Sequence, residues 1–545
     1  MREILNQNWA QTRSNYPLRV LRNLEDSFFL SEEERQHMHI MGTTRVGKSR
    51  FLEWLMRRDI DRLKADEHLP NEDRRSIGFC FLDPSDRGDT MYRILRYCAA
   101  LNYKKVLVID PHSNKIAPIN PLTGDKEAAV GKIMDAVRVL YQVSDASRQA
   151  RIEHYLRAIL SVLHNANLTL HDALYFTKRV YELQRHLILD KTPSLDQHRL
   201  TVEEVYTNRS LYNQEFQTTV RRFEYFTHPA LDLMFGSRKG INFSSLIGNG
   251  WVVLVNLYSG LGLEEMHSRL IGTMIINEII DALDRMILDG FKKQYYLYID
   301  EAGEYATRKL ARLLALKGKS GLIVHLSHQY SAQFEDRYIA ESVFTNTNIK
   351  TVFRLKNSDD ARKMANTLYG GELVKKEGDK DISSVLMNLP QREAIIRKPI
   401  KPAMRVRIPD VFDVELSDQE YEEYLAYIYS HEWYLTPEEI WADMRDRIEV
   451  HESTRTSSVS STKTPKTAHR PVSKGTAPRR PANLPAEWED TFKSLREDEI
   501  SYPTNVANEP PPNARRADRD SAGSLRKRPL VDSLKRNPES SNRKI

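Results

Sequence analysis

Cysteine is scarce in this chain of 545 residues, which contains only Cys80 and Cys98. Two cysteines can form at most one disulfide, and neither has the CxxC or Cys/His spacing that a zinc or redox site requires. The count excludes a disulfide-stabilised miniprotein and indicates a reducing cytosol, with both cysteines as buried apolar residues. At roughly 150 residues per domain, the length allows three or four domains with a large core.

Long apolar runs are also missing. The most apolar stretch, residues 270–288, is interrupted by five polar or charged side chains, at Asn277, Glu278, Asp281, Asp284 and Arg285. A membrane-spanning helix needs about 20 predominantly apolar residues, so we expect no intrinsic membrane span. Residues 1–20 have no apolar core and no small-residue cleavage site, so we expect no secretion signal and a cytoplasmic protein.

Net charge is small, at +6 from 81 basic and 75 acidic residues, and it is unevenly placed. Residues 451–545 contain 19 Lys and Arg against 12 Asp and Glu, whereas residues 1–450 contain 62 against 63. A nearly neutral body gives no charge-based argument for nucleic-acid binding. The tail carries the basic excess, and its charges either strengthen DNA or partner binding or only keep it solvated.

The tail also has the composition of a disordered segment. Eleven of the 24 prolines lie there, among many Ser and Thr and few large apolar residues, so it cannot bury a core. Residues 486–500 are the exception, because Trp488, Phe492 and Leu495 recur at helical spacing. This short helix is either transient and without consequence or a docking motif for a partner.

Residues 36–110 alternate short apolar runs with amphipathic stretches, which predicts a βαβαβ unit and a parallel sheet. The pattern changes to helix after helix over residues 126–234 and returns to strands from residue 251. An interrupted pattern that resumes predicts one α/β domain with a helical insertion. The predicted strands are 37–42, 77–83, 105–110, 251–257, 295–300, 321–327 and 350–355, and the main helices between them are 48–63, 90–101, 263–288 and 306–317.

Five segments follow from these patterns. They are an N-terminal segment at 1–35, an α/β domain at 36–125 and 235–415, an all-helical insertion at 126–234, a C-terminal helical cap at 416–450 and the disordered basic tail at 451–545.

A phosphate-binding pattern, G-x-x-x-x-G-K-[ST], comes directly after the first predicted strand and opens a helix. Its residues are Gly42, Thr43, Thr44, Arg45, Val46, Gly47, Lys48 and Ser49, and we add Arg50 to the nucleotide-contacting set. Gly42 and Gly47 permit a backbone that turns its N–H groups inward around a β-phosphate. Lys48 neutralises the β and γ oxygens, and the Ser49 hydroxyl is a ligand for Mg²⁺. ATP and Mg²⁺ are therefore the expected ligands, and the alternative is a Gly-rich turn beside a surface lysine.

Two acids end another apolar strand, 295–300, where Asp300 is followed by Glu301. Asp300 can hold Mg²⁺ through water, and Glu301 can polarise the attacking water as a general base. The acid pair favours an ATPase motor over a GTPase switch. The alternative is that both acids only cap the next helix.

Two further side chains end neighbouring strands. Gln329 follows the strand 321–327 and can act as a sensor between the γ-phosphate or the attacking water and the next moving element. Arg354 closes the strand 350–355, where a planar guanidinium could reach the γ-phosphate of a neighbouring subunit in a ring. For Arg354 the alternative is an ordinary surface salt bridge.

Together these residues resemble the HerA/FtsK superfamily of ring-forming DNA pumps, and within it the TraD/TraG type of type IV secretion coupling protein. The segments that carry the resemblance are FFLSEEERQHMHIMGTTRVGKSR, FLDPSDRGD, INPL, YLYIDEAGEY, LSHQ and NTNIKTVFRLKNSDDA. The resemblance covers about residues 20–415 and implies a RecA-like P-loop NTPase fold, an all-helical insertion at the DNA entrance and a homo-hexamer.

Transferred by position, the resemblance implies a role for each motif. Residues 42–49 correspond to Walker A, Asp300 with Glu301 to Walker B, Gln329 to the sensor glutamine and Arg354 to an arginine used in trans. Asp83 matches the aspartate of the family's Asp-Pro segment.

The leading hypothesis is an ATP-driven DNA translocase of a conjugative or integrative element. It would be recruited to the inner membrane by partners such as a relaxase and the proteins of the secretion channel. One alternative is a HerA-like helicase-translocase that works with a nuclease in repair or phage defence. Another is a P-loop scaffold that never moves DNA, and Glu301 argues against it because a scaffold needs no catalytic base.

Overall fold

The computed structural model describes residues 22–23, 35–70, 73–74, 78–140, 146–217, 219–220, 226, 228–290, 293–315, 321–370 and 382–447. All of them belong to the unit Met1–Ala468. The predicted basic tail, with its helix at 486–500, and most of the N-terminal segment lie outside the described residues, so these assignments stay predictions.

A ten-stranded sheet runs through the described part of the chain in the order β1-β10-β9-β8-β2-β7-β6-β3-β5-β4. The strands are β1 (Arg22–Asn23), β2 (Met38–Met41), β3 (Phe79–Asp83), β4 (Val106–Ile109), β5 (Val252–Asn256), β6 (Tyr295–Ile299), β7 (Leu322–His328), β8 (Ile349–Val352), β9 (Glu393–Arg397) and β10 (Met404–Arg407). Every residue of β2 to β8 is buried, as expected for parallel strands covered on both faces.

Helices cover both faces of this sheet and build the insertion. They are α1 (Lys48–Ala65), α2 (Asp89–Ala100), α3 (Lys126–Leu140), α4 (Ala146–Asn165), α5 (Glu182–Leu189), α6 (Gln197–Thr207), α7 (Pro229–Phe235), α8 (Phe243–Gly248), α9 (Glu265–Leu288), α10 (Arg308–Ala315), α11 (Arg337–Asn346), α12 (Ser358–Tyr369), α13 (Ile382–Met387), α14 (Asp418–Ile428) and α15 (437–447). Short helical turns lie at Asp86–Gly88, His171–Phe176, Arg179–Tyr181, Arg209–Leu211, Tyr212–Phe216, Ala302–Glu304 and Ser331–Gln333.

The α/β fold class with a central parallel sheet is confirmed, and one edge of the sheet departs from the prediction. Strand β9 lies antiparallel to both β8 and β10, and neither β9 nor β10 was predicted from the sequence. Only the central three residues of β9 are buried, and β10 alternates buried and more exposed residues, so neither is the unbroken apolar run by which the parallel strands are recognised.

The predicted strand 350–355 is wrong at its end. Strand β8 stops at Val352, because the chain turns away from the sheet after Phe353, whose N–H still donates to Met41 O at 2.8 Å. Leu355 N–H already donates to Leu386 O at 3.0 Å. Arg354 therefore lies in the loop after β8 and does not close the strand.

Residues 126–234 contain helices and helical turns but no strand wherever the structure describes them. Their link to the α/β domain includes a buried ion pair between Lys132 of α3 and Glu278 of α9, at 2.6 Å. Asn277 Nδ2 also donates to Lys132 O at 3.0 Å. The division of the chain into five segments stays a prediction.

Helix α14 and the segment that follows it pack near the β4 edge of the sheet. Tyr434 contacts the outer side of β4: its hydroxyl accepts from Val108 N at 2.8 Å and donates to Val108 O at 3.1 Å. Tyr424 OH donates to Tyr103 O at 2.6 Å. The edge of β4 is thus covered at Val108, one of the ways in which folded proteins protect an outer strand.

Cys80 and Cys98 are both free and fully buried, as predicted. Within the part of the chain that the structure describes, every helix is too short or too polar to cross a membrane.

The order β8-β2-β7-β6 places four parallel strands side by side. The phosphate-binding loop follows β2, Gln329 follows β7, the acid pair follows β6, and Arg354 comes two residues after β8. The carboxyl ends of parallel strands share one edge of a sheet, where ligands bind in folds of this class.

Candidate active site

The phosphate-binding loop is anchored on one side by strand β7 and on the other by the segment that follows β8. Gly42 N donates to His328 O at 3.2 Å, and Thr43 N donates to Arg354 O at 3.0 Å. A side chain at Gly42 would place its Cβ 2.5 Å from Phe353 Cβ, so only glycine allows this approach. The sequence pattern therefore reflects packing at this position.

The loop bends through two left-handed residues, Arg45 with φ 61° and Gly47 with φ 115°. Gly47 is also the residue from which helix α1 starts. Positive φ at Gly47 costs a glycine little, and the N-terminus of α1 carries a partial positive charge. This local geometry suits an anionic ligand such as a phosphate.

Lys48 is buried to 6% exposure at the start of α1. Its Nζ donates to Gly42 O at 2.9 Å and to Thr43 O at 3.2 Å, so the ammonium group lies inside the curve of the loop. Among the cationic side chains of the motif, only that of Lys48 is buried. It is thus held where positive charge would stabilise a bound phosphate.

Ser49 and Asp300 meet across the sheet edge. Ser49 Oγ donates to Asp300 Oδ2 at 2.7 Å, and the other oxygen, Oδ1, accepts from Glu301 N at 3.0 Å. Asp300 is only 4% exposed. A hydroxyl and a carboxylate side by side are the hard oxygen ligands that Mg²⁺ prefers, so these two residues fit the predicted metal site.

Glu301 has a left-handed backbone, with φ 47° and ψ 50°, directly after β6. Gln329 Nε2 donates to Glu301 Oε1 at 2.9 Å, and Thr44 Oγ1 donates to Gln329 Oε1 at 2.9 Å. One glutamine side chain therefore contacts both the phosphate-binding loop and the predicted base. The structure brings Lys48, Ser49, the acid pair and Gln329 into one site, and their catalytic and ligand-binding roles stay predictions.

The side chains of Arg354 and Arg50 are less closely tied to the site than those of Lys48, Ser49 and Gln329. Arg354 is partly exposed, and its carbonyl holds Thr43. Arg50 extends along α1 to Glu53, with Nη1 to Oε2 at 3.1 Å. Glu53 is fully buried and also accepts from Arg57 and Arg93. Arg50 thus takes part in an ion-pair cluster on the helix, and its predicted nucleotide contact stays a prediction.

Asp83 sits at the end of β3 beside the site and caps helix α2. Its Oδ1 accepts from Ser85 N at 3.0 Å and its Oδ2 from Met91 N at 2.6 Å. Burial raises the pKa of Asp83 to about 6, and the charge of Asp300 adds to the shift. The hydrogen bonds identify a structural part for Asp83 in holding the Asp-Pro turn.

Sequence reasoning missed three residues at the site. Gln333 Nε2 donates to Glu301 Oε2 at 3.1 Å. Gln391 Nε2 donates to Arg45 O at 3.0 Å, and Arg392 N donates to Val46 O at 2.9 Å. Gln391 and Arg392 come from the turn before β9, which had no strand signal to locate it. For Gln333 the sequence offered only its position four residues after Gln329, which is a weak signal.

Residues 294–386 match the family model described as the TraM recognition site of TraD and TraG. The matching segment begins just before β6 and contains Asp300, Glu301, Gln329 and Arg354. This match confirms the TraD/TraG resemblance over that segment. A comparison with curated protein sequences gave no match.

Solved structures with a similar fold include the plasmid coupling protein TrwB in complex with a non-hydrolysable ATP analogue. It is 13% identical, with 75% of this chain and 93% of that chain covered and a TM-score of 0.50. VirB4 of Thermoanaerobacter pseudethanolicus is 12% identical over 72% of this chain and 92% of that chain, with a TM-score of 0.40. The likeness to TrwB confirms the RecA-like P-loop NTPase fold.

Proposed function

We propose that this chain is an ATP-hydrolysing motor that moves DNA as the coupling protein of a conjugative or integrative element. The proposal is carried by the hydrogen bond between Ser49 Oγ and Asp300 Oδ2, at 2.7 Å, because it joins the phosphate-binding loop to the acidic strand end. The match of residues 294–386 to the TraD and TraG model supports a coupling protein among P-loop motors.

The nucleotide is held by the loop and by two side chains at its end. Lys48 supplies positive charge to the β and γ phosphate oxygens, exchanging its contacts with the loop carbonyls for contacts with phosphate. Ser49 and Asp300 would hold Mg²⁺, which when bound neutralises phosphate charge. TrwB in complex with an ATP analogue supports a nucleotide ligand for this fold.

Glu301 acts as the general base. It accepts one proton from the attacking water while the water oxygen bonds to the γ-phosphorus and the bond from that phosphorus to the ADP oxygen breaks. Gln329 connects this base to Thr44 of the loop. A change at the phosphate-binding loop therefore reaches the base through a single side chain.

We propose DNA, further copies of the chain in a hexameric ring, a relaxase and membrane channel proteins as partners. Arg354, partly exposed beside the loop, is the residue that would act on a neighbouring subunit. The description of the 294–386 model as a TraM recognition site supports a protein partner for this segment. The basic tail, residues 451–545, would add DNA affinity through counterion release.

The ATPase rate of the purified full-length chain tests the proposal, measured without DNA, with single-stranded DNA and with double-stranded DNA. We expect hydrolysis that DNA stimulates in the parental protein and none in Lys48→Ala. A parental rate in Lys48→Ala contradicts the site assignment. Hydrolysis that neither DNA affects contradicts a motor, and no hydrolysis at all favours the scaffold.

Transfer of the element between cells separates coupling from repair or defence. We expect that replacing the parental gene with the Lys48→Ala form stops transfer without changing survival after DNA damage or phage challenge. The reverse pattern would indicate a helicase-translocase that acts with a nuclease.

A further inference from the structure

Gln333 contacts the second carboxylate oxygen of the predicted base, Glu301, whose first oxygen accepts from Gln329. It ends the helical turn Ser331–Gln333, just after β7. Its Nε2 donates to Glu301 Oε2 at 3.1 Å, and its Oε1 accepts from Gln329 N at 2.6 Å. No part of the function proposed above uses this residue.

The orientation of the Gln333 amide is fixed by its partners. A backbone N–H can only donate, so the group that faces Gln329 N must be the carbonyl oxygen Oε1. The amide nitrogen Nε2 therefore faces Glu301, where a carboxylate can only accept. Reversing the amide would break both hydrogen bonds.

Three residues close a ring of hydrogen bonds around the base. Gln329 Nε2 donates to Glu301 Oε1 at 2.9 Å, Gln333 Nε2 donates to Glu301 Oε2, and Gln333 Oε1 accepts from the Gln329 backbone. Each carboxylate oxygen thus receives one amide N–H. Two donors on two oxygens fix the rotation of the carboxylate, which one donor cannot do.

The backbone on the acid side is built around Gln333. A Cβ on Gly303 would lie 2.7 Å from Gln333 Cβ and 2.9 Å from Gln333 O, so the turn after Glu301 approaches Gln333 closely only because residue 303 is glycine. The left-handed φ of 47° at Glu301 starts this same turn. The turn after Glu301 therefore packs directly against Gln333.

We infer that Gln333 is a positioning residue, which holds the carboxylate of Glu301 in the direction needed to receive the proton of the attacking water. The inference rests on the proposed function, because it assigns a task to Gln333 only if Glu301 is a base. Gln329 links the base to the nucleotide loop, and Gln333 restrains the remaining oxygen.

Two substitutions separate the donor from the acceptor of the amide. Gln333→Glu keeps an oxygen for Gln329 N–H but removes the N–H that reaches Glu301 and places a second negative charge beside it. Gln333→Leu removes both contacts at similar volume. We expect kcat to fall about 10- to 100-fold in both variants, with the KM for ATP within about twofold of the parental value, because the base is misdirected while nucleotide binding is intact.

Gly303→Ala displaces Gln333 without changing its chemistry, and we expect a smaller fall in kcat. Gly131→Ala is the matched control, since a Cβ there has no atom within 4 Å, and its kcat should equal the parental one. Thermal melting of each variant checks folding, and equilibrium binding of a non-hydrolysable ATP analogue checks that the site is formed.

A double-mutant cycle with Glu301→Gln distinguishes positioning from a general structural effect. If Gln333 acts through Glu301, Gln333→Leu should not lower kcat any further in a protein that already carries Glu301→Gln. A full additional loss in that background would overturn the inference, as would a parental kcat in Gln333→Leu or a raised KM with unchanged kcat. Absence of ATP hydrolysis by the parental protein would overturn the proposed function and this inference together, whereas parental hydrolysis with an indifferent Gln333 overturns the inference alone.

Discussion

Ser49 and Asp300 are 251 residues apart in the chain, and their side chains share a hydrogen bond of 2.7 Å. Ser49 lies in the first turn of helix α1 after β2, and Asp300 follows β6, two strands away in the sheet. A hydroxyl and a carboxylate reach each other here only because both strands point their carboxyl ends at the same edge.

Asp300→Asn should weaken the binding of the Mg²⁺ that the ATPase needs. The variant keeps the shape of the side chain but loses its charge, so the half-saturating Mg²⁺ concentration should rise about tenfold or more, equivalent to about 1.4 kcal/mol. A Mg²⁺ titration of the ATPase rate measures it. Ser49→Thr is the control, because the phosphate-loop pattern accepts either hydroxyl, and unchanged Mg²⁺ dependence in Asp300→Asn would remove this residue from the metal site.

Glu301→Gln should separate binding from hydrolysis. The amide keeps the size of the side chain but cannot take up a proton, so the rate should drop about 10²- to 10⁴-fold while the variant still binds ATP. Binding of labelled ATP and steady-state turnover measure the two effects. Glu304→Gln, three residues on and paired with Arg269, is the matched control and should retain most activity; loss of ATP binding in Glu301→Gln would make Glu301 a structural residue.

The parts of this site that could be predicted were those written in contiguous sequence. The strand Tyr295–Ile299 is buried along its whole length, so it appears in the sequence as an unbroken apolar run. The phosphate loop has a fixed spacing because its own backbone must curve. Both signals are local, and the parallel strand pattern then places their ends together.

The contacts that could not be predicted depend on neighbours distant in sequence. In the sequence, little distinguishes Gln333 from the other glutamines, and only the folded turn brings it to Glu301. Gln391 reaches Arg45 from 346 residues away, out of a turn without periodicity. The apolar neighbours of Arg354 predict that the strand continues through it, whereas the hydrogen bond from Leu355 to Leu386 draws the chain out of the sheet.

Arg354→Ala tests whether the site is shared between subunits. The contact that Arg354 makes with Thr43 uses its backbone carbonyl, so the alanine variant should keep the loop anchored and lose only the guanidinium. We expect little activity from Arg354→Ala alone and partial recovery when it is mixed with Lys48→Ala, because some interfaces then carry one intact copy of each residue. Mixing the two at several ratios measures this, and no recovery at any ratio would place the action of Arg354 within its own subunit.

The ion pair between Lys132 and Glu278 should couple the stability of the insertion to that of the α/β domain. Both side chains are under 10% exposed. Glu278→Leu leaves a buried ammonium without its partner, which should cost about 3–5 kcal/mol of unfolding free energy. Adding Lys132→Met should restore most of it, because an apolar pair needs no desolvation. Urea denaturation of the single and double variants measures the difference, and equal destabilisation in both would show that the charges do not act as a pair.

Lys350 should make the protein more stable as pH rises above neutrality. Its Nζ is buried in β8, where it donates to Thr347 Oγ1 at 2.6 Å and to Phe344 O. Burial, with the nearby charge of Lys363, lowers the pKa of Lys350 from 10.5 to about 7. The other titratable groups beside it are His39 and His328, and burial also lowers the pKa of both imidazoles.

The free energy of unfolding rises with pH because Lys350 binds its proton more tightly in the unfolded chain than in the folded one. Between pH 7 and 10.5 the unfolded chain keeps a proton on Lys350 that the folded chain has released, so the unfolded state binds more protons and the free energy of unfolding rises with pH. One proton contributes at most about 1.4 kcal/mol per pH unit. In Lys350→Met this part of the slope should be missing, since the side chain no longer titrates.

Urea denaturation of both proteins from pH 6.5 to 9 measures the two slopes, and parallel slopes would mean that Lys350 stays charged in the folded protein. Lys356→Met is the control, because Lys356 is exposed and its loss should leave the slope unchanged.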